Sequence, residues 1–119
     1  MSFKLNKYQL EKYSRQIILK DVGALGQKKI IKSKVLIVGM GGLGCPVAEF
    51  LTRAGIGNIG IVDFDKVDLS NIHRQSLFNL KDLKKSKVIV AKKKLNKINI
   101  QTKVECYNLK LNKKNQSKI

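Results

Sequence analysis

Val35-Leu36-Ile37-Val38-Gly39-Met40-Gly41-Gly42-Leu43-Gly44 is an apolar run of strand length that passes directly into a glycine-rich turn. The apolar spacing then turns helical, with Leu43, Val47, Phe50, Leu51 and Ala54 falling three or four residues apart or side by side. A second apolar run, Ile59-Gly60-Ile61-Val62, ends on Asp63, 19 residues beyond Gly44 (44 to 63). Strand, glycine turn, helix, strand and closing acid, in that order and at that spacing, describe a nucleotide site at the carboxyl ends of a parallel sheet.

Outward from this centre, Lys34–Val38 reads as a strand buried on both faces, as parallel strands usually are. Pro46 is compatible with a helix there, because the first turn has N–H groups without intrahelical partners. Gly55–Asn58 reads as the turn into the second strand. Upstream, residues 7–20 are expected to form one helix with Leu10, Tyr13, Ile17 and Ile18 on one side. Gly23 and Gly26 break that pattern, and Gln27–Lys32 is expected to form a second short helix. Downstream, Val67–Leu80 reads as loop or broken helix. Lys87–Ile98 reads as an amphipathic helix, with Val88, Ala91, Leu95 and Ile98 on one stripe and lysines opposite. Val104 and Cys106 alternate with polar residues in a short third strand.

The sequence therefore predicts an α/β fold, a Rossmann-like parallel sheet with flanking helices that is truncated after its third strand. Its expected parts are an N-terminal helical segment over residues 1–33, a nucleotide-binding β-α-β-α-β unit over 34–111 and a polar tail over 112–119.

The 119 residues suffice for one domain that buries roughly two-thirds of its unfolded surface. No apolar run approaches the ~20 residues needed to cross a bilayer. The N-terminus also lacks the apolar stretch of a secretory signal, so a cytoplasmic protein without a membrane partner is expected. Cys45 and Cys106 are the two cysteines and make no Cys-x-x-Cys pair, which argues against a disulfide framework or a zinc site within this chain. The net charge of +17 is unevenly spread, with +7 in residues 1–34, −1 in 35–80 and +11 in 81–119. The excess lies outside the motif-bearing segment and comes from 22 lysines against three arginines. That is a solvated lysine coat and not a specific nucleic-acid reader, which would need arginines and stacking aromatics. Weak, salt-sensitive affinity for polyanions follows from the charge alone.

Gly39, Gly41 and Gly44 suit a phosphate turn, since glycine tolerates positive φ and lets the backbone come close to an anion. The following helix would aim its N–H groups and positive dipole end at the same point. A tight strand-to-helix turn without ligand has the same pattern; the acid closing the next strand favours the nucleotide. Asp63 is placed to accept hydrogen bonds from ribose hydroxyls. Asp65 and Asp68 read as solvated or capping residues. Arg74 and Lys87, if they converge on the crevice, suit a triphosphate, because they would offset charge building on the α-phosphate and departing pyrophosphate. The plainer reading of Arg74 is a surface salt bridge with Asp65 or Asp68, and spacing does not distinguish Lys87 from its neighbours. Two other functions compete: a nicotinamide or flavin oxidoreductase on the same sheet, and a basic binding module without catalysis. The charged stretch from Asp65 to Lys87 argues against the oxidoreductase. Cys45 reads as a small packing residue, Cys106 as core and His73 as a loop residue.

Tyr13-Ser14-Arg15-Gln16-Ile17-Ile18-Leu19, Gly26-Gln27, the Gly39–Gly44 turn, Gly55-Ile56-Gly57-Asn58, Asp63-Phe64-Asp65, Leu69-Ser70-Asn71-Ile72-His73-Arg74-Gln75 and Lys87-Val88 occur in series. Together, from about Tyr8 to Tyr107, they resemble the N-terminal part of the ThiF/MoeB/HesA family of ubiquitin-like-protein activating adenylyltransferases. The resemblance implies a reaction in which the C-terminal glycine carboxylate of a ubiquitin-like sulfur-carrier protein attacks the α-phosphate of ATP. An acyl-adenylate forms and pyrophosphate leaves. By position, the resemblance puts Gly39, Gly41, Gly42 and Gly44 at the nucleotide and Asp63 on the ribose. Ser70, Asn71, Arg74 and Gln75 would form the loop around adenosine and phosphates, with Lys87 on phosphate. Arg15 would serve the site of a partner subunit, which implies a homodimer with Arg15, Arg74 and Lys87 as its catalytic cations.

The resemblance also implies parts that do not occur in these residues: a carboxylate that helps hold Mg²⁺, a surface gripping the carrier, and Cys-x-x-Cys pairs for zinc in the full-length protein. This chain alone is therefore expected to bind ATP weakly and to have no useful adenylation activity. Molybdopterin synthesis, thiamine synthesis and tRNA or cysteine thiolation are all open as the pathway.

Overall fold

The computed structural model describes residues 3–119. Strands β1 (Lys34–Val38), β2 (Asn58–Val62) and β3 (Lys103–Tyr107) pair in parallel in the order β1-β2-β3. Ile37 stands opposite Ile61, and Ile61 opposite Cys106. Five helices accompany them: α1 (Lys7–Lys12), α2 (Ser14–Ile17), α3 (Gly23–Lys32), α4 (Gly44–Ala54) and α5 (Lys87–Ile98). The architecture is the α/β, Rossmann-like parallel sheet that the glycine turn and the two apolar runs predict.

Helices α4 and α5 make the two crossovers and pack against each other. Ile37, Ile59, Ile61 and Val104 from the strands meet Ala48 of α4 and Val88, Ala91 and Leu95 of α5 in one core. The α5 stripe is thus as its spacing predicts. The other side of β1 differs from expectation, because Leu36 and Val38 are exposed. An unbroken apolar strand reads as buried twice, yet both crossover helices cover the same side.

Helix α4 is also rotated from its expected phase. Its buried side is Cys45, Ala48 and Thr52, while Leu43, Val47 and Phe50 face outward. Small side chains are what let α4 sit close to the sheet and to α5, so residue size overrides hydrophobicity here. Cys45 is the packing residue expected, fully buried, and burial raises its thiol pKa.

The single helix expected over residues 7–20 is two helices broken at Tyr13, whose φ and ψ of −103° and 13° leave the helical region. Tyr13 is 2% exposed and Ile18 73%, so the stripe read from spacing is not a buried face. A polar anchor decides instead: the Asn99 Nδ2 donates to the Tyr13 hydroxyl at 2.9 Å and to the Thr52 carbonyl at 3.0 Å. Helix α3 begins at Gly23, four residues before the expected Gln27, and contains Gly26. Gly23, at φ +61°, turns the chain into that helix, so the glycines start it and do not end it.

Residues 69–71 form a short 3₁₀ turn within the expected broken segment, and a second such turn, 80–82, begins at its last residue. Beyond β3 a further 3₁₀ turn, Gln116–Lys118, leads to Ile119, which lies along the uncovered sheet face beside Leu36 and Tyr107. The polar tail thus ends on a half-buried residue. Among the described residues no helix is long and apolar enough to cross a membrane.

Candidate functional site

The carboxyl end of β1 runs into Gly39, whose φ of +99° reverses the chain toward α4. A Cβ on Gly44 would stand 1.9 Å from the Gly39 carbonyl oxygen, so the helix can start this close to the turn only with glycine there. Helix α4 opens with no side-chain cap; the Cys45 N–H donates to the Gly41 carbonyl at 3.0 Å and Pro46 has no N–H, so the amides of Gly42, Leu43 and Gly44 in the turn are the ones left to an anion.

Asp63, just past β2, holds this turn in place. The Met40 N–H donates to its Oδ2 at 2.8 Å, and the Asp65 N–H donates to its Oδ1 at 2.8 Å. Each carboxylate oxygen keeps lone-pair capacity for a further donor such as a ribose hydroxyl. Beside Asp63, a cavity of about 300 Å³ lies between Val38, Val62 and Phe64 on one side and Leu109 and Leu111 on the other. That is the lower end of the volume range of small-molecule sites.

The loop from Val67 to Gln75 lies over the turn. Asp68 caps its 3₁₀ turn: the Ser70 N–H donates to Asp68 Oδ2 at 3.0 Å, and the Asp68 N–H donates to Asn71 Oδ1 at 2.9 Å. The Ser70 hydroxyl also donates to Asp68, and this, with the Ser70 and Leu69 N–H groups, holds the Asp68 carboxyl below its ordinary pKa. Asp68 is thus the capping residue of the plainer reading. Ser70 and Asn71, expected at the nucleotide, are engaged in this cap, and Asn71 is buried.

Arg74 makes no salt bridge with Asp65 or Asp68; its Nη1 donates to the Ser70 carbonyl at 2.9 Å and lies 3.3 Å from His73 Nε2. Its aliphatic stem covers Gly42, where a Cβ would stand 3.5 Å from Arg74 Cγ and Cδ. Gln75 is buried above Gly41, with its Nε2 3.7 Å from the position a Gly41 Cβ would take and its Oε1 without a partner.

Lys87 begins α5. Among the described residues it is the one buried lysine, at 5% exposure, and its Nζ lies 4.0 Å from Asp65 Oδ2. Its N–H donates to the Asp65 carbonyl at 3.1 Å. Arg74 thus lies over Gly42 of the turn after β1, and Lys87 beside Asp65, two residues beyond the Asp63 that follows β2; neither lines the cavity beside Asp63. Arg15 is elsewhere. It sits exposed on α2, next to Gln16, whose Nε2 donates to the Ala54 carbonyl at the far end of α4.

Two groups of structural residues escape a sequence reading. Tyr13, Gln16, Gln27 and Asn99 tie α1–α3 to the carboxyl ends of α4 and α5. Asp82 accepts from Lys94 at 2.5 Å and from the Asn79 N–H at 2.8 Å, bracing the loop that leads into Lys87. The only local signal for either is an Asn or Asp near a helix end. Among the described residues no three His, Cys, Asp or Glu side chains gather as a metal cluster.

The ThiF family pattern matches residues 13–119. The chain belongs to the ThiF family. A "Sulfur carrier protein adenylyltransferase" of Thermus thermophilus is 42% identical to this ThiF-family chain over 113 residues, covering 95% of the chain and 42% of that protein. An "Adenylyltransferase and sulfurtransferase MOCS3" of Drosophila virilis is 47% identical over 111 residues, covering 93% of the chain and 25% of that protein. The chain thus spans a quarter to two-fifths of the curated relatives it matches. Among solved structures, E. coli MccB with ATP superposes with a TM-score of 0.82 at 32% identity, covering 98% of this chain and 36% of that one.

Proposed function

We propose that this chain forms the nucleotide-binding part of an adenylyltransferase that activates the C-terminal carboxylate of a ubiquitin-like sulfur-carrier protein with ATP. The observation that carries the reading is that Arg74 lies over Gly42 of the glycine turn, while Lys87 is buried beside Asp65, two residues from the Asp63 carboxylate that clasps the same turn. A nicotinamide dinucleotide needs no such pair of cations, whereas a triphosphate losing pyrophosphate does. The names of the adenylyltransferase relatives and of the ATP-bound neighbour support the same reading.

In this reading the phosphates lie on Gly39, Gly41, Gly42 and Gly44 at the opening of α4, the ribose on Asp63, and the base in the apolar cavity beside Phe64 and Leu109. The carrier's carboxylate oxygen forms a bond to the α-phosphorus while the bond to the bridging oxygen of pyrophosphate breaks. Lys87 and Arg74 offset the negative charge that accumulates on the transferring and departing phosphates. For that, Arg74 turns from the Ser70 carbonyl to the phosphates, a rotation its exposed head permits. Gln75, with its free Oε1, and the capped Ser70–Asn71 turn hold that loop above the glycines. Arg15 serves the site of a second subunit in a homodimer. Mg²⁺, zinc and a cytoplasmic location belong to this proposal for the whole protein; this chain alone binds ATP weakly and does not adenylate.

Titrating the ¹⁵N-labelled chain with ATP and, separately, with NADH tests the reading. ATP is expected to shift the amides of Gly41, Gly42 and Asp63 while NADH shifts them less. A stronger response to NADH would favour the oxidoreductase and overturn the proposal. Pyrophosphate exchange that depends on the carrier, measured in the whole protein, then tests the chemistry.

A further inference from the structure

We propose that the side-chain amide of Gln75 is a phosphate-binding group, its Nε2 donating to the phosphate chain of a nucleotide seated on the glycine turn. This rests on the nucleotide reading above and gives one residue of the loop a contact of its own. Gln75 is 4% exposed, and among the described residues its Oε1 has no hydrogen-bond partner. Buried polar atoms are nearly always paired, because an unpaired acceptor forfeits the hydrogen bonds it made to water. A methionine has a similar length, fills the same kind of space and avoids that cost. The amide therefore has its use at the other end of the group.

That other end lies at the turn. Gln75 Nε2 is 3.7 Å from the position a Gly41 Cβ would take. The hydrogen bonds that shape the loop, from Ser70 to Asp68 and from Arg74 to the Ser70 carbonyl, do not involve it. An amide nitrogen has two donors and no acceptor, so the group it can meet there is an oxygen acceptor. The turn collects donors already, in the N–H groups of Gly42, Leu43 and Gly44, and such a convergence of donors suits an anion. A ribose hydroxyl has its acceptor in Asp63 instead. The opposite orientation of the amide would bury two unpaired N–H groups and set an acceptor against the anion.

The donor is also held in place. The Gln75 N–H donates to the Asn71 carbonyl at 2.9 Å, and the Gln75 carbonyl accepts from the Phe78 N–H at 3.1 Å. Leu77 and Phe78, each 4% exposed, fix the following residues in the core. The side chain thus projects from a rigid base, and binding costs little reorganisation. Arg74 differs, since its exposed head must leave the Ser70 carbonyl to reach the same phosphates.

Urea unfolding and ¹⁵N NMR titration of the chain and of its Gln75→Met and Gln75→Glu variants at pH 7 test the assignment. Without ligand, Gln75→Met is expected to unfold at a higher urea concentration than wild type, because the orphaned acceptor is gone. It is nevertheless expected to bind ATP at least ~10-fold more weakly. Gln75→Glu keeps the shape but offers a negative charge and no donor, and is expected to lose more ATP affinity than Gln75→Met. Adenosine, without phosphates, is expected to bind all three alike. The Gln75 side-chain NH₂ cross-peak, identified by its absence from both variants, is expected to shift with ATP and not with adenosine. A Gln75→Met chain less stable than wild type with equal ATP affinity would overturn the proposal in favour of a structural role. ATP binding to Gln75→Glu as tight as to wild type would overturn it as well. If one variant fails to fold, the other and the wild-type cross-peak decide. A cross-peak that ignores ATP while the Gly41 and Gly42 amides respond would remove Gln75 and leave the nucleotide reading standing. Turn amides that ignore ATP in the wild-type chain would overturn both.

Discussion

The Asp63 carboxylate accepts the N–H of Met40 at 2.8 Å, joining the end of β2 to the turn that follows β1. The acid that the sequence marks for a sugar is therefore also the clasp of the phosphate turn. Asp63→Ala is expected to cost about 1–3 kcal/mol of stability, since two backbone donors lose their acceptor. Asp63→Asn retains an acceptor oxygen and is expected to lose less. Urea unfolding of the two variants measures the structural part. ATP titration by NMR measures the binding part, which both variants are expected to weaken.

In the proposed reaction Arg74 and Lys87 would face developing charge, so their loss is expected to appear in the chemical step. In the whole protein, Arg74→Ala or Lys87→Ala is predicted to cost roughly 2–4 kcal/mol of transition-state stabilisation. Carrier-dependent pyrophosphate exchange reads this out. Unchanged rates in both variants would remove the pair from the site.

Gly44 has no room for a side chain against the Gly39 carbonyl. Gly44→Ala is predicted to destabilise the fold by about 3 kcal/mol or more, because backbone and not a flexible side chain must move. Gly42→Ala meets only the stem of Arg74 and is expected to unfold at nearly the wild-type urea concentration. Equal midpoints for the two variants would contradict the geometry.

The buried Asn99 amide bridges Tyr13 and Thr52 across 86 and 47 residues of sequence. Asn99→Leu leaves both partners without their donor and is expected to cost about 2–3 kcal/mol. Hydrogen exchange is expected to rise first in α1 and α2, which this amide holds to the rest of the fold. Exchange that rises evenly through the sheet would place the anchor elsewhere.

Burial opposes ionisation of Asp82, but the hydrogen bonds from Lys94 and the Asn79 N–H outweigh it and hold the carboxyl below its ordinary pKa. A depressed folded-state pKa means stability that is complete above the unfolded value of about 3.9 and is lost as pH falls through the folded one. Asp82→Asn is therefore expected to be less stable than wild type at pH 7, by about 1 kcal/mol. The gap is expected to close below pH ~3.9. Urea midpoints at pH 7 and pH 3 test it, and a constant gap would exclude the ion pair as its source.

Local physics made much of this molecule readable. The limits of β1 and the stripe of α5 follow from periodicity, and the glycine turn follows from a steric demand between residues five apart. The buried side of α4 was not readable, because Cys45, Ala48 and Thr52 look less like core than Leu43, Val47 and Phe50 do. The break at Tyr13 was hidden for a different reason: its cause is Asn99, which no local window contains.

The amino-acid sequence by itself determined the parallel sheet, the phosphate turn and the acid beside it, since each depends on neighbours a few residues apart. Tertiary structure alone decided that Lys87, among 22 lysines, is the one buried, with its ammonium against Asp65, two residues past that acid. It also decided that Arg74 covers Gly42 and that Arg15 lies at the other end of α4. Those three placements depend on how separate helices and loops pack, and packing is a contest between side-chain volume and buried hydrogen bonds that residue spacing does not express.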